Sequence, residues 1–202
     1  MLKTLIKDYK VILASGSPRR QQFLRDLDLE FEIRLKPVEE IYPDRLYKFE
    51  ISDYLAQLKS LPFKEELKEN EILITSDTIV WHEGKALGKP VNREDAIQMI
   101  SSLSGKSHEV ITSVCFTTTK LEKTVNSITK VVFRNLEAAE IEYYVDEFKP
   151  FDKAGAYGIQ EWIGQIGIER IEGSYFNVVG LPVDLVYRNL ILITREMNRL
   201  KS

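Results

Sequence analysis

Cysteine and histidine are nearly absent: Cys115 is the single thiol, and His82 and His108 are the two imidazoles among 202 residues. One cysteine excludes an internal disulfide framework and a multi-cysteine zinc site. It falls in an apolar, alternating stretch and reads as a core residue. The two histidines are too few and too far apart in sequence for a metal site or a nucleophile-activating pair. His82, beside a turn signal, reads as solvated. A basic excess is missing too, since 28 Lys and Arg face 31 Asp and Glu for a net charge of −3. That balance argues against a surface that tracks nucleic acid, but it leaves room for one small phosphorylated ligand served by local cations. No apolar run approaches the length needed to span a bilayer, and the start, Met1 to Asp8, has no continuous apolar core of the signal-peptide kind. No membrane partner is expected, and the chain reads as cytoplasmic. Internal repeats, low-complexity segments and long linkers are also missing.

What is present is an ordinary globular composition, 44% hydrophobic and 29% charged, long enough for one domain, or for two small lobes without a separable linker. Strand and helix signals alternate. Tyr9 to Ala14 reads as a buried strand, Pro18 to Leu27 as a helix with Phe23, Leu24 and Leu27 inward, and Phe31 to Leu35 as a short strand. Pro37 to Glu50 reads as an acidic loop. Ile51 to Leu61 sets Leu55, Leu58 and Leu61 on one helical face, ended by Pro62. Ile72 to Ser76 and Ile79 to His82 read as two strands, with a Glu83-Gly84-Lys85 turn after them. Arg93 to Leu103 repeats Ala96, Ile100 and Leu103 at helical spacing and stops at Ser104-Gly105. Glu109 to Thr118 and Ser127 to Arg134 form a hairpin across a polar Leu121 to Asn126 connection. Two helices follow, one marked by Ile141, Tyr144, Val145 and Phe148, the other running from Pro182 to Leu200 with Leu185, Asn189, Leu190, Ile193 and Met197 near one stripe. Between them, Gly155 to Gly180 is punctuated by glycine, as site-shaping segments often are. Hairpins mixed with strand-helix units predict a mixed α/β fold with a central mixed sheet rather than an all-parallel one.

The stretch most suggestive of function is Val11-Ile12-Leu13-Ala14-Ser15-Gly16-Ser17-Pro18-Arg19-Arg20. An apolar strand stops in a Ser-Gly-Ser turn and restarts as a helix headed by Pro and two arginines. Gly16 allows close approach of a ligand to the backbone, Ser17 can cap the helix, and Pro18 suits its first turn, so free N–H groups are directed at an anion. Arg19 and Arg20 add forked donors that match phosphate oxygens. A well-capped surface helix with two solvated arginines is the plain alternative. Gly105-Lys106-Ser107 looks like the tail of a P-loop, but Ile100 stands where its first glycine belongs and the strand and helix come in reversed order. Lys106 then reads as an exposed turn lysine.

Asp77 sits between two apolar runs, where an unpaired carboxylate is costly. It reads as a turn former or as a general base or metal ligand at a strand end. Glu39 or Glu40 could supply a second carboxylate; Mg²⁺ takes one or two together with phosphate oxygens and water. Lys59, on a helix, and Lys89, fixed between Gly88 and Pro90, join Arg19 and Arg20 as cations able to offset a triphosphate. In Asp152-Lys153-Ala154-Gly155-Ala156-Tyr157-Gly158-Ile159-Gln160, small residues permit close approach, and Gln160 offers a donor and an acceptor to a base edge.

In this order, the pieces resemble the Maf family of nucleotide pyrophosphatases, the septum-formation-inhibitor-like proteins. The likeness covers nearly the whole chain: Leu13 to Arg20, Ser76 to Val80, Gly88 to Pro90, Leu103 to His108, Asp152 to Gln160, and Gly173 to Pro182. It implies a two-lobed mixed α/β fold similar to inosine triphosphate pyrophosphatases, with a deep cleft. It also implies hydrolysis of a nucleoside triphosphate between the α and β phosphates with a divalent cation, Mg²⁺ or Mn²⁺. The Asp152 to Gln160 motif looks like the branch acting on dTTP, UTP and modified pyrimidine nucleotides. By family position Asp77 is the proton acceptor, Arg19, Thr78 and Gln160 set specificity, and Ser15, Arg20, Glu40, Lys59 and Lys89 fill the other site positions, with Asp77 and Glu40 on the metal. Two alternatives stay open: a purine-directed pyrophosphatase of the inosine triphosphate type, separable by a substrate panel, and a non-catalytic nucleotide-binding regulator of cell division, marked by binding without product. A homodimer is compatible with either on the sole ground that symmetric dimers are common.

Overall fold

The computed structural model describes residues 2 to 200; Met1 of the expected amphipathic start lies outside them. In chain order the elements are α1 (Leu2–Leu5), β1 (Lys10–Leu13), α2 (Pro18–Asp26), β2 (Phe31–Ile33), α3 (Phe49–Leu58), β3 (Glu71–His82), β4 (Lys85–Leu87), α4 (Arg93–Leu103), β5 (Ser107–Thr117), β6 (Glu122–Phe133), α5 (Ala138–Phe148), α6 (Trp162–Gly167), β7 (Ile168–Glu172), α7 (Tyr175–Val179) and α8 (Val183–Arg199). The sheet order is β2-β1-β3-β5-β6-β7, with β4 paired to β3. β1 runs parallel to both β2 and β3, while β3–β4 and β6–β7 are antiparallel. The sheet is therefore mixed, as the alternation of hairpins and strand-helix units predicts, and the fold is mixed α/β.

The chain divides into two compact units, one of Met1–Asp77, Thr112–Asn126 and Gly180–Ser202, the other of Thr78–Ile111 and Ser127–Val179. In the first unit, β1 lies between two parallel strands and is covered on both faces, Val11 and Leu13 in one cluster and Ile12 in another, which explains why all three are buried and read as an unbroken apolar run. Its main core joins Val11, Leu13, Leu24, Ile72, Ile74, Val114 and Phe116 to the buried stripe of α8, where Val186, Leu190, Ile193 and Met197 recur at helical spacing. Leu185, expected in that stripe, is only partly buried, and Val186 takes the inward place. A smaller cluster, Ile12, Phe63, Leu67 and Leu73, covers the other side of β1 and β3. Leu61 is exposed rather than inward, because α3 ends at Leu58 and Pro62 lies in the first turn of a short 3₁₀ segment, Leu61–Glu66. Pro62 therefore opens the next turn, a position where its missing N–H costs nothing.

In the second unit, β3 turns into β4 through Glu83 and Gly84, both at positive φ (47° and 82°), the pairing of a tight hairpin turn. The Asn92 side chain caps α4 by accepting from the Asp95 N–H at 2.8 Å, and the helix ends at Leu103, before Gly105 at φ +68°. The positive φ favours glycine at this position, where a side chain would strain the backbone and push aside the exposed Asn135 amide. The core of this unit gathers Ala96, Ile100 and Leu103 of α4, Ile141, Tyr144 and Val145 of α5, and Val110, Val131 and Phe133 of the strands. The glycine-punctuated stretch is not plain connection, since it contains α6, β7 and α7. β6 starts at Glu122, earlier than expected, so the hairpin turn is confined to the residues after Thr117. No helix among the described residues is long and apolar enough to cross a membrane.

Candidate active site

Asp77 is not between two strands. β3 runs unbroken from Glu71 to His82, with Asp77 in its middle and only 8% of its side chain exposed. A carboxylate inside an apolar strand calls for strong partners, and α3 supplies one. Lys59 caps the C-terminus of α3 and donates from Nζ to Asp77 Oδ1 at 2.6 Å. The same Nζ pairs with Glu40 Oε1 at 3.1 Å. Lys59 is accordingly withdrawn from solvent, contrary to the ordinary expectation for a helical lysine, and it gathers Asp77 and Glu40 onto one ammonium.

Arg20 approaches from α2. Its Nε donates to the carbonyl of Gly180 and its Nη1 to the carbonyl of Ser76, both at 2.9 Å. The guanidinium thereby ties the helix entry to the residue before Asp77 and to the turn before α8. Sequence reasoning gave Arg20 to phosphate alone and missed this clamp, whose partners are remote in the chain and carry no local motif. At the Ser-Gly-Ser turn, Ser15 is buried and its Oγ accepts from the Ser17 N–H at 3.2 Å, while Ser17 Oγ accepts from the Arg20 N–H at 3.5 Å. Arg19 follows Pro18 in the first turn of the same helix.

The acidic segment is held at its start. Arg34 donates to both oxygens of the buried Glu71 carboxylate, at 3.1 and 2.6 Å, and Lys36 to the Pro62 carbonyl at 2.8 Å. The Arg34 bonds hold the Glu71 carboxyl below its ordinary range. Glu40, not Glu39, is the residue that reaches Lys59.

Burial dominates the electrostatics. It pushes the Asp77 carboxyl above its ordinary value against the opposing pull of Lys59 and then Arg20, with Glu40 adding to the upward push. Burial likewise lowers Arg20, opposed mainly by the charge of Asp77. The result is a carboxylate poised nearer to neutrality than a solvated aspartate, within a set of neighbouring cations. Such a group can accept a proton from water and can share a cation with Glu40. No group of three or more His, Cys, Asp or Glu side chains suited to a metal occurs among the described residues.

Ser15, Arg19, Arg20, Glu40, Lys59 and Asp77 thus all belong to the first unit, and Glu40 and Asp77 converge by direct contact with Lys59. Thr78, Lys89 and Gln160 belong to the second unit. Lys89 is exposed after β4, where the preceding Gly88 carbonyl accepts from the Gly155 N–H at 3.0 Å. Gln160 is half-buried and lines an open groove of about 470 Å³ with Gln165, Arg170 and Tyr175. Gly155, at φ +68°, stands where a Cβ would meet Val80 Cγ2 at 2.9 Å, so the motif that leads to Gln160 requires glycine at this point.

The two histidines, Lys106 and Cys115 make other contacts. His82 is buried, not solvated, because it closes β3 instead of standing in the turn. His108 Nε2 lies 2.7 Å from the Tyr157 hydroxyl, and burial, reinforced by His82, lowers its pKa to about 3. It is a neutral core histidine. Lys106 pairs with Glu83 at 2.7 Å on the surface, and Cys115 is a buried free thiol.

Residues 10–192 match the Maf-like protein family. A Mycobacterium abscessus structure described as a nucleoside-triphosphatase / dITP/XTP pyrophosphatase aligns at 15% identity over 96% of this chain and 98% of its own, with a TM-score of 0.43. A Flavobacterium johnsoniae protein named dTTP/UTP pyrophosphatase is 62% identical over 190 residues, 94% of this chain and 98% of the relative. A Christiangramia forsetii protein of the same name is 60% identical over 94% of this chain and 97% of its own. With a family match from the first strand into the last helix and relatives this similar end to end, the chain belongs to the Maf-like protein family.

Proposed function

We propose that this protein hydrolyses dTTP and UTP to the nucleoside monophosphate and pyrophosphate. High identity to relatives bearing that activity in their names supports the substrate class. The observation that carries the chemistry is the buried Asp77 carboxylate, raised by burial and held at 2.6 Å by Lys59. A carboxylate whose pKa is raised is a stronger base than a solvated aspartate.

Asp77 takes the proton of the attacking water as the water oxygen bonds to the α-phosphorus and the bond from that phosphorus to the α–β bridging oxygen breaks. Pyrophosphate leaves with the electron pair. Lys59 keeps Asp77 aimed and ionised, and Arg20 fixes the strand at Ser76. Arg19, Ser15 and the N–H groups heading α2 serve the anionic phosphates, with Lys89 as a further cation. Thr78 and Gln160 discriminate the base. These are positioning and electrostatic tasks, which phosphoryl chemistry chiefly demands.

Asp77 and Glu40 suit a divalent cation, since two carboxylates converging on one positive point are the donor set that Mg²⁺ or Mn²⁺ takes with phosphate oxygens and water. When bound, the cation supplies charge neutralisation to the phosphates.

Turnover in ¹⁸O-labelled water tests the proposal. Incubation of dTTP, UTP, CTP, ITP and ATP with Mg²⁺ or Mn²⁺ is expected to give pyrophosphate and labelled dTMP or UMP, with the pyrimidine substrates preferred. Label in inorganic phosphate, preference for ITP, or binding without product would overturn it.

A further inference from the structure

We propose that Asp53 is a positioning residue for the reaction, holding in place, through Ser113 and Asn126, the helix that carries Lys59 to Asp77. The inference rests on the function proposed above, but it begins from contacts that the mechanism does not use. α3 buries Ile51, Leu55 and Ala56. Beside that apolar face, Asp53 places a half-buried carboxylate against the β5–β6 hairpin, where it needs donors. Ser113 of β5, fully buried, donates from Oγ to Asp53 Oδ1 at 2.6 Å. Asn126 of β6 donates from Nδ2 to both carboxylate oxygens, at 3.2 and 3.1 Å.

Further tethers follow along the same helix. Gln57 Nε2 donates to Thr124 Oγ1 at 3.0 Å, and Lys64, just past the helix, pairs with Glu122 at 2.6 Å. On the β3 side, Thr75 Oγ1 donates to the Ala56 carbonyl at 2.7 Å. Lys59 moves with this body, because its own N–H donates to the Leu55 carbonyl at 3.1 Å and closes the last turn. A slide or rotation of α3 therefore displaces the ammonium from Asp77, and a contact of 2.6 Å tolerates little displacement. Asp53 is the charged anchor on α3 itself toward the β5–β6 hairpin and the one that receives three donor contacts, so its loss removes the strongest directional restraint on a helix whose apolar packing is non-directional.

The test uses the full chain with Asp53→Ala and, as a gentler variant, Asn126→Ala. Small misplacements of catalytic groups lower turnover by up to about a hundredfold. The inference predicts that kcat falls between about tenfold and a hundredfold while KM for dTTP stays within about twofold. The double exchange Asp53→Asn with Asn126→Asp restores donor and acceptor in reversed order and is expected to recover most of kcat. In a crystal structure of Asp53→Ala, Lys59 Nζ is expected to have left hydrogen-bonding range of Asp77. Unchanged kcat in either folded single variant, a rise in KM with kcat kept, or an unmoved Lys59 would overturn the inference. If Asp53→Ala does not fold, Asn126→Ala supplies both readouts. The crystallographic one needs no turnover, so failure of the proposed function and failure of the positioning role remain distinguishable.

Discussion

Lys59→Met removes the ammonium that faces Asp77 and keeps most of the length of the side chain. The pair it breaks is secluded, with 8% of the Asp77 side chain and 18% of that of Lys59 exposed. Deleting one partner of a buried ion pair leaves an uncompensated charge and costs about 3–5 kcal/mol while the survivor stays ionised. Asp77 can escape that cost by binding a proton, which burial already favours in the wild-type protein. A carboxyl raised in the folded state binds more protons folded than unfolded over the window above 3.8, so its contribution to stability is full below that value and is lost as pH rises through the folded pKa. Lys59→Met extends this window upward. Its stability deficit is therefore smallest in acid and grows toward neutral pH, and the acid limb of kcat/KM moves to higher pH because Asp77 must be deprotonated to act. Urea denaturation at several pH values and pyrophosphate release over the same range read both effects. A deficit independent of pH together with an unmoved acid limb would refute the coupling of Lys59 to Asp77.

Two other predictions concern the second unit. The pKa of His108 is lowered from 6.5 to about 3, so the unfolded chain binds the extra proton between those values and wild-type stability falls as pH drops through that window, by up to about 5 kcal/mol at about 1.4 kcal/mol per unit. His108→Gln is expected to flatten that part of the pH dependence in urea denaturation, and an unchanged slope would count against it. Gln160→Ala is expected to lower the preference for UTP over CTP in kcat/KM by about tenfold, the worth of one or two hydrogen bonds. An unaltered ratio would remove Gln160 from base recognition.

Much of the fold was legible because local rules and tertiary structure agree. The apolar run of β1 is buried between two parallel strands, and α4 starts at an Asn cap and stops before a glycine at positive φ, as its sequence signals require. Where they disagree, long-range contacts decide. Asp77 looked like a break between strands because a charge interrupts apolar residues, yet Lys59 and Arg20, remote in sequence, let β3 continue through it. Lys59 stands out in the sequence as a cation and by family position, but nothing in its own helix announces the carboxylates it meets. The tie from Arg20 to Gly180 was invisible for the same reason, while His82 beside the hairpin turn looked solvated although it ends a buried strand. Polar groups whose partners lie far along the chain leave no periodicity to read, and this candidate site is built from them.

Asp77→Asn tests the central claim most directly, because it keeps the side chain's shape, removes its charge and its basicity, and leaves Lys59 and Arg20 in place. Pyrophosphate release from dTTP by the folded variant is predicted to fall by at least about 10²- to 10³-fold, the loss typical of one well-placed catalytic group. Retention of activity within about tenfold of the wild-type protein, in a variant of unchanged fold, would contradict the assignment of Asp77 as the base.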